Sequence, residues 1–165
     1  DSKNKISAPW GKLLKDDCGR WRQHHLIHHM MDVASCFEAL VRMPVFYDKL
    51  CDAAGRILTT ADISRLSVMV YLHDIGKIAP AFQYKKFDPK SQAQHASDGM
   101  SIVMQAFDNE ESPLHGLISD LLNMGGKNQV LKGFIHIFAH HGQPVPFHYF
   151  DNAIFDIPAL SYDVD

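Results

Sequence analysis

The chemistry in this chain is concentrated in histidine. Eleven histidines stand beside ten phenylalanines in 165 residues. Most fall in clusters: His24, His25, His28 and His29 in HHLIHH, His73 beside Asp74 in LHDIGK, a lone His95, and His140-His141 ahead of Gly142. Histidine is the commonest metal ligand and titrates near neutral pH, so the enrichment points to a metal site or to acid/base chemistry. The His73-Asp74 pair says most, because it follows an apolar helical stripe that aims both groups inward. A buried carboxylate without a partner costs several kcal/mol, roughly, so Asp74 needs a cation, and a metal ion shared with His73 is the nearest candidate. Neutral imidazoles with one carboxylate suit divalent transition metals, and the two oxygens of a carboxylate can bridge two ions. The groups at His29, His73, Asp74, His95, His140 and His141 are more than one tetrahedral ion needs. Two ions about 3.5–4 Å apart could activate a bridging water and neutralise the charge that develops on a phosphoryl group. Phosphoester hydrolysis is the reaction class this favours. Lys77, one turn on, either supplies a point charge to a phosphate oxygen or covers a helix end.

The elements that must position these groups read as helices. Thr59-Thr60-Ala61-Asp62 offers a hydroxyl cap with an acid in the first turn, and Ile63, Leu66, Met69, Val70 and Leu72 follow at helical spacing. His73 and Asp74 fall in the last turn of this helix, which Gly76 is expected to stop through a positive φ. From about Arg20, the stripe Leu26, Met30, Val33, Phe37, Leu40 and Val41 predicts a helix ending before Pro44, with His29 and His25 on one face and His24 and His28 in a neighbouring row. Pro44 to Ala54 is expected as a short amphipathic helix closed by Gly55, packing through Phe46, Leu50 and Tyr47.

Phe82, past a turn at Pro80, should pack back on the core, and Lys85, Lys86 and Lys90 form a basic patch. That patch reads first as a solvated charge run, with a phosphate-backbone contact as the alternative. Ser91 to Phe107 carries His95 near a helix start. Pro113 to Met124 is a further helix stopped by Gly125-Gly126, with His115 expected at the surface. Asn128 to His140 points Val130, Leu131, Phe134, Ile137 and Phe138 inward and delivers His140 and His141, with His136 a neighbour one turn earlier. Residues 1–19 read as an arm laid over the domain and residues 145–165 as an irregular aromatic segment.

Composition bounds the function classes. At 46% hydrophobic and 21% charged, 165 residues suffice for one sizeable core, so residues 1–165 are expected to form one domain. A formal charge of −3 counts against a stand-alone duplex binder. No apolar run spans a bilayer and no secretory signal opens the chain, so a cytoplasmic protein with no membrane partner is expected. Cys18, Cys36 and Cys51 are scattered, odd in number and form no CxxC, which argues against a disulfide scaffold or cysteine zinc site. The chain also lacks HExxH, GxSxG, GxxxxGK[ST] and a dinucleotide-binding glycine fingerprint.

Taken in order, an early helical histidine before VA, then HDxGK, a later lone histidine and finally HHG are similar to the HD-domain superfamily of metal-dependent phosphohydrolases. More narrowly, Trp-Gly-Lys near the N-terminus, HHLIHHMMDVA, LHDIGKIAPAFQYK, QHASDG and AHHGQP resemble the HD nuclease domain of the CRISPR-associated helicase-nuclease of type I interference. The resemblance runs from Trp10 to about Pro144. It implies an all-α HD-domain helical bundle with the metal site at its centre, and a metal-dependent nuclease that degrades single-stranded DNA. It also implies a helicase partner in cis or in trans and recruitment by an RNA-guided surveillance complex.

By motif, the ligands it implies are His29, His73, Asp74, His95, His140 and His141, with Asp74 bridging and His24 a weaker candidate. Asp74 and Lys77 are the catalytic candidates, served by two divalent ions of manganese, iron, nickel or cobalt, with magnesium as a further option. The family also supplies a late aspartate in an Ala-Asp-Trp-like context. This chain has none, and Asp163 or Asp165 in SYDVD is a poor substitute, so either a C-terminal part lies outside the chain or one ion is held less completely. Two other readings stay open: an HD phosphohydrolase of nucleotides or cyclic dinucleotides, and a non-catalytic HD module that contacts a partner.

Overall fold

The computed structural model describes residues 8–88, 90 and 93–142, with the His141 side chain outside that set. A hairpin of β1 (Trp10–Lys15) and β2 (Trp21–His25) leads into α1 (Leu26–Val41), α2 (Pro44–Ala54) and α3 (Thr60–Tyr71). A 3-10 helix (Leu72–Ile78) and a single turn, α4 (Pro80–Gln83), connect to α5 (His95–Asp108), α6 (His115–Leu121) and α7 (Lys127–Phe138), and a last 3-10 turn covers Ala139–His141. The architecture is all-α apart from the antiparallel hairpin. Residues 145–165, read from the sequence as irregular, lie outside the described set, as do Asp163 and Asp165.

From Trp10 onward the hairpin replaces the expected arm. Trp10 is buried at its start, and Gln83 ties it down from the far side of the sequence: the Trp10 amide donates to Gln83 Oε1 at 3.0 Å, and Gln83 Nε2 donates to the Trp10 carbonyl at 3.0 Å. The hairpin also sets where α1 begins. His25 keeps an extended backbone, and the Leu26 amide donates to the Pro9 carbonyl at 2.7 Å. The helix therefore starts at Leu26 rather than near Arg20, because its first orphan donor is satisfied by the backbone just ahead of β1.

The core is built by Leu72, Met100, Val103, Ile118, Leu121, Val130, Phe134 and Phe138, each at most 1% exposed. These residues come from α5, α6, α7 and the 3-10 helix, and Met69 of α3 joins them. Two expected packing residues are instead exposed, Leu40 at the end of α1 and Phe46 on α2. α2 has no buried residue and is tied to Leu58, whose carbonyl accepts from the Tyr47 hydroxyl at 2.6 Å and whose amide donates to Cys51 Sγ at 3.4 Å. α3 begins as its sequence dictates: Thr59 Oγ1 accepts from the Asp62 amide and Asp62 Oδ2 accepts from the Thr59 amide, a capping box typically worth about 1 kcal/mol.

His73 and Asp74 lie in the 3-10 helix rather than in the last turn of α3. Gly76 has no positive φ. Its role is close approach: a Cβ there would collide with the backbone carbonyl of His95 and the amide of Gly99. Gly99 is needed for the same kind of reason, since a Cβ on it would lie 2.7 Å from Cε1 of Phe138. Backbone thus meets backbone where α5 crosses the 3-10 helix, and the Phe138 ring lies against α5. These two contacts carry Asp74, His95 and the turn after α7 to one place.

Candidate metal centre

Asp74 is 2% exposed and gathers imidazoles from four separate segments. Its Oδ2 lies 2.9 Å from Nε2 of His29 on α1 and 3.1 Å from Nε2 of its neighbour His73, and accepts from Lys77 Nζ at 2.6 Å. Its Oδ1 faces Nε2 of His95, at the start of α5, at 3.4 Å and Nε2 of His140, after α7, at 3.6 Å. The donor atoms form two groups that share Asp74, His29-His73-Asp74 and Asp74-His95-His140, and within each group they lie inside 4.8 Å of one another.

The hydrogen bonds around the rings set their chemistry. Nδ1 of His73 lies 2.8 Å from the Val70 carbonyl and Nδ1 of His140 lies 2.9 Å from the Ile137 carbonyl. A carbonyl only accepts, so both Nδ1 atoms carry a proton, and each ring turns its Nε2 toward Asp74, as a lone pair where the ring is neutral and as a second N–H donor where it is protonated. Lone pairs facing a carboxylate repel unless a cation lies between them or the rings are protonated. Oδ1 is buried yet makes no hydrogen bond to any described residue, an arrangement that is costly without a further partner. The orphan oxygen, the preset Nε2 atoms and the single shared carboxylate fit divalent transition metal ions.

Electrostatics point the same way. Burial pushes the Asp74 carboxyl up, but hydrogen bonds and charge from His73 and Lys77 outweigh it and hold the group below the usual carboxylate range. Burial lowers the His29 pKa, against the opposing pull of Asp74. His29 therefore stays neutral, and able to ligate, to lower pH than an exposed histidine.

Not every residue singled out in the sequence arrives here. The His141 backbone belongs to the Ala139–His141 turn, while its side chain lies outside the described set. His24 Nε2 is bonded to Asp32 Oδ2 at 2.9 Å, and the His25 ring stacks on His28 at 5.5 Å, so these form a surface group beside His29. His25, expected on the face of His29, is the residue that precedes the helix and leaves that face. His136 is exposed and lines a cleft of about 660 Å3 between α2, α3 and α7. His115, expected at the surface, is partly buried and donates from Nδ1 to the Ala106 carbonyl at 2.8 Å, closing the last turn of α5.

Lys77 is committed to Asp74. Its ammonium also reaches the Gly11 carbonyl at 3.4 Å and lies 5.6 Å from the centroid of the Phe82 ring. Sequence reasoning missed Phe82 and Gln83 as parts of the site: the Phe82 ring is 5.2 Å from that of His95, and Gln83 Nε2 donates to the Lys77 carbonyl at 2.6 Å. Gly76, expected to stop a helix, serves close approach instead, and Gly99 was not singled out at all. A glycine in an otherwise helical pattern, without turn residues around it, is the signal that would have pointed to close approach.

No curated protein and no solved structure matches the chain. One family model does, that described as "Cas3, HD domain", over residues 10–153. That span covers most of the sequence and contains His29, the His73-Asp74 pair, His95 and His140, the positions that the fold draws around one carboxylate, together with His141. By that match the chain belongs to the Cas3 HD domain family, a family of HD-type metal-dependent nucleases and phosphohydrolases of CRISPR systems.

Proposed function

We propose that this domain hydrolyses the phosphodiester bonds of single-stranded DNA, acting with a helicase in cis or in trans that is brought to its target by an RNA-guided surveillance complex. The observation that carries the reading is Asp74, whose two oxygens face separate pairs of imidazoles. A chain with formal charge −3 also suits a domain to which another motor delivers the strand.

His29 and His73 with Oδ2 of Asp74 would hold one ion, and His95 and His140 with Oδ1 a second. The chemistry such ions supply when bound is polarisation of the phosphoryl oxygens and acidification of the attacking water. The protein's own part is orientation. The Val70 and Ile137 carbonyls fix two rings with Nε2 inward, and burial keeps His29 neutral. Lys77 serves as a positioning residue: its ammonium holds Oδ2 and balances part of the carboxylate charge, which leaves Oδ1 turned toward the second pair. A direct role for Lys77 on a phosphate would require it to leave a 2.6 Å contact.

Digestion of circular single-stranded DNA with manganese, iron, nickel, cobalt or magnesium supplied in turn tests the reading. Loss of the circle with at least one metal, blocked by chelator, is expected. Hydrolysis confined to free nucleotides or cyclic dinucleotides would overturn it in favour of a small-molecule phosphohydrolase. Bound metal without hydrolysis of any phosphoester would leave a binding module.

A further inference from the structure

Beside the metal cluster, the described surface combines large exposed rings with lysines. Trp21 is 56%, Tyr84 58% and Phe87 72% exposed. Segments 10–25 and 77–90, which carry these rings, hold eight lysines and arginines against three aspartates, in a chain whose formal charge is −3. Protein interfaces favour aromatic residues but exclude lysine from their cores. A single strand of nucleic acid uses both, since every base offers a π face and every phosphate a negative charge.

The two segments are joined, and they lead to Asp74. Tyr84 and Phe87 flank Lys85 and Lys86 in the turn after α4, with ring centroids 6.0 Å apart. Lys86 Nζ donates to Gln23 Oε1 of β2 at 3.3 Å, which hitches this turn to the hairpin. Side chains alternate along a strand, so Trp21 lies on the face of β2 that carries Gln23. Lys15 stands opposite Trp21 in the ladder, with Nζ 5.7 Å from its ring. At the other end Phe82, two residues before Tyr84, packs against His95, and Lys85 Nζ lies 5.0 Å from the same Phe82 ring. The exposed rings therefore begin next to a side chain that touches the metal cluster.

We propose that Trp21, Tyr84 and Phe87, interleaved with Lys15, Lys86 and Lys90, form a stacking track that guides single-stranded DNA to the Asp74 centre. The track rests on the nuclease reading above and adds where the strand lies. It grips bases without reading them, because stacking tolerates every base.

The test uses fluorescein-labelled oligothymidylate in anisotropy titrations, together with cleavage of the same oligonucleotide and of the small chromogenic diester bis(p-nitrophenyl) phosphate. Trp21→Ala, Tyr84→Ala and Phe87→Ala should each weaken oligonucleotide binding, by roughly fivefold to a hundredfold. The KM for DNA should rise with them, Trp21→Phe should restore most of the loss, and diester hydrolysis and melting temperature should stay at the parent values. A triple variant that binds and cuts oligothymidylate like the parent would overturn the track while leaving the nuclease reading intact. Variants that lose diester hydrolysis and melt early would overturn it as well, by showing these rings to be structural. A triple variant that keeps DNA binding but no longer associates with a helicase would reassign the surface to a protein partner. A parent chain that hydrolyses the diester and leaves DNA untouched would instead defeat the nuclease reading on which the track rests.

Discussion

Asp62 and Asp74 are both buried carboxylates on or just after α3, and they are treated in opposite ways. Asp62 is fully partnered: Arg56 reaches both of its oxygens, at 2.7 and 2.9 Å, and the Thr59 amide and hydroxyl both donate to Oδ2 at 2.8 Å. Asp74 has one oxygen crowded by two imidazoles and an ammonium while the other makes no hydrogen bond to any described residue. Both acids are held below the usual carboxylate range, Asp62 chiefly by the Arg56 and Thr59 hydrogen bonds and Asp74 by His73 and Lys77 against its burial. A low pKa alone therefore does not separate a structural carboxylate from one built to take a ligand. Completeness of partnering does.

Exchanging each acid for its amide should separate the two most widely. Asp74→Asn is expected to abolish stoichiometric metal and to reduce phosphodiester cleavage by roughly a thousandfold, with the metal-free protein melting close to the parent. Asp62→Asn should lower the melting temperature and leave metal content and cleavage per folded molecule unchanged. Metal analysis by mass spectrometry beside thermal melts reads both, and the contrast collapses if Asp74→Asn keeps its metal or Asp62→Asn loses it.

Next in size is Gly76→Ala, which places a methyl group against backbone that cannot swing aside. We expect a loss of about 3 kcal/mol in denaturant unfolding, together with reduced metal stoichiometry, because the contact that joins Asp74 to His95 must open. Parent-like unfolding would mean that the crossing of α5 over the 3-10 helix has slack.

Acid titration gives the smallest and most graded effect. His29 has a folded pKa below its ordinary 6.5, so the unfolded chain binds more protons and stability falls as pH drops from 6.5 toward the folded value. Asp62 is likewise depressed, from an ordinary 3.8, so its contribution persists to lower pH and is lost only as pH falls below that value. Metal loading should decline below roughly pH 6, as ligand imidazoles take up protons. Ellipticity of metal-free protein from pH 7 to 3, with and without His29→Gln, should show the upper phase vanish in the variant and the lower one remain. Full metal stoichiometry at pH 5 would contradict the loading curve.

The residues that gather around Asp74 were legible because each sits near an element boundary marked by strong local signals. The Thr59-Asp62 box announces α3, Gly142 follows His140-His141, and Pro44 bounds α1 from beyond. Periodicity also found the inward faces of α5 and α7. What it could not find were features set by residues remote in sequence. The hairpin exists through Trp10 and Gln83, 73 positions apart, and its strands show no apolar alternation that a core would demand. Phe46 and Leu40 fit helical stripes yet lie exposed, since spacing tells which residues share a face and not whether a neighbour covers it. Gly76 was misassigned for the same reason: a helix-stopping glycine and a glycine under another backbone look alike until the second backbone is known.

The crossing at Gly76 works as a mechanical stop. Because main chain rests on main chain there, the spacing between Asp74 and His95 is gauged by hard atoms rather than by the side chains that would hold an ion. Donor identity and spacing become separate variables: exchanging the imidazole of His95 or His140 for another donor would leave the backbone dimension unchanged. Changing the donors around Asp74 should therefore be easier than changing the distance between them.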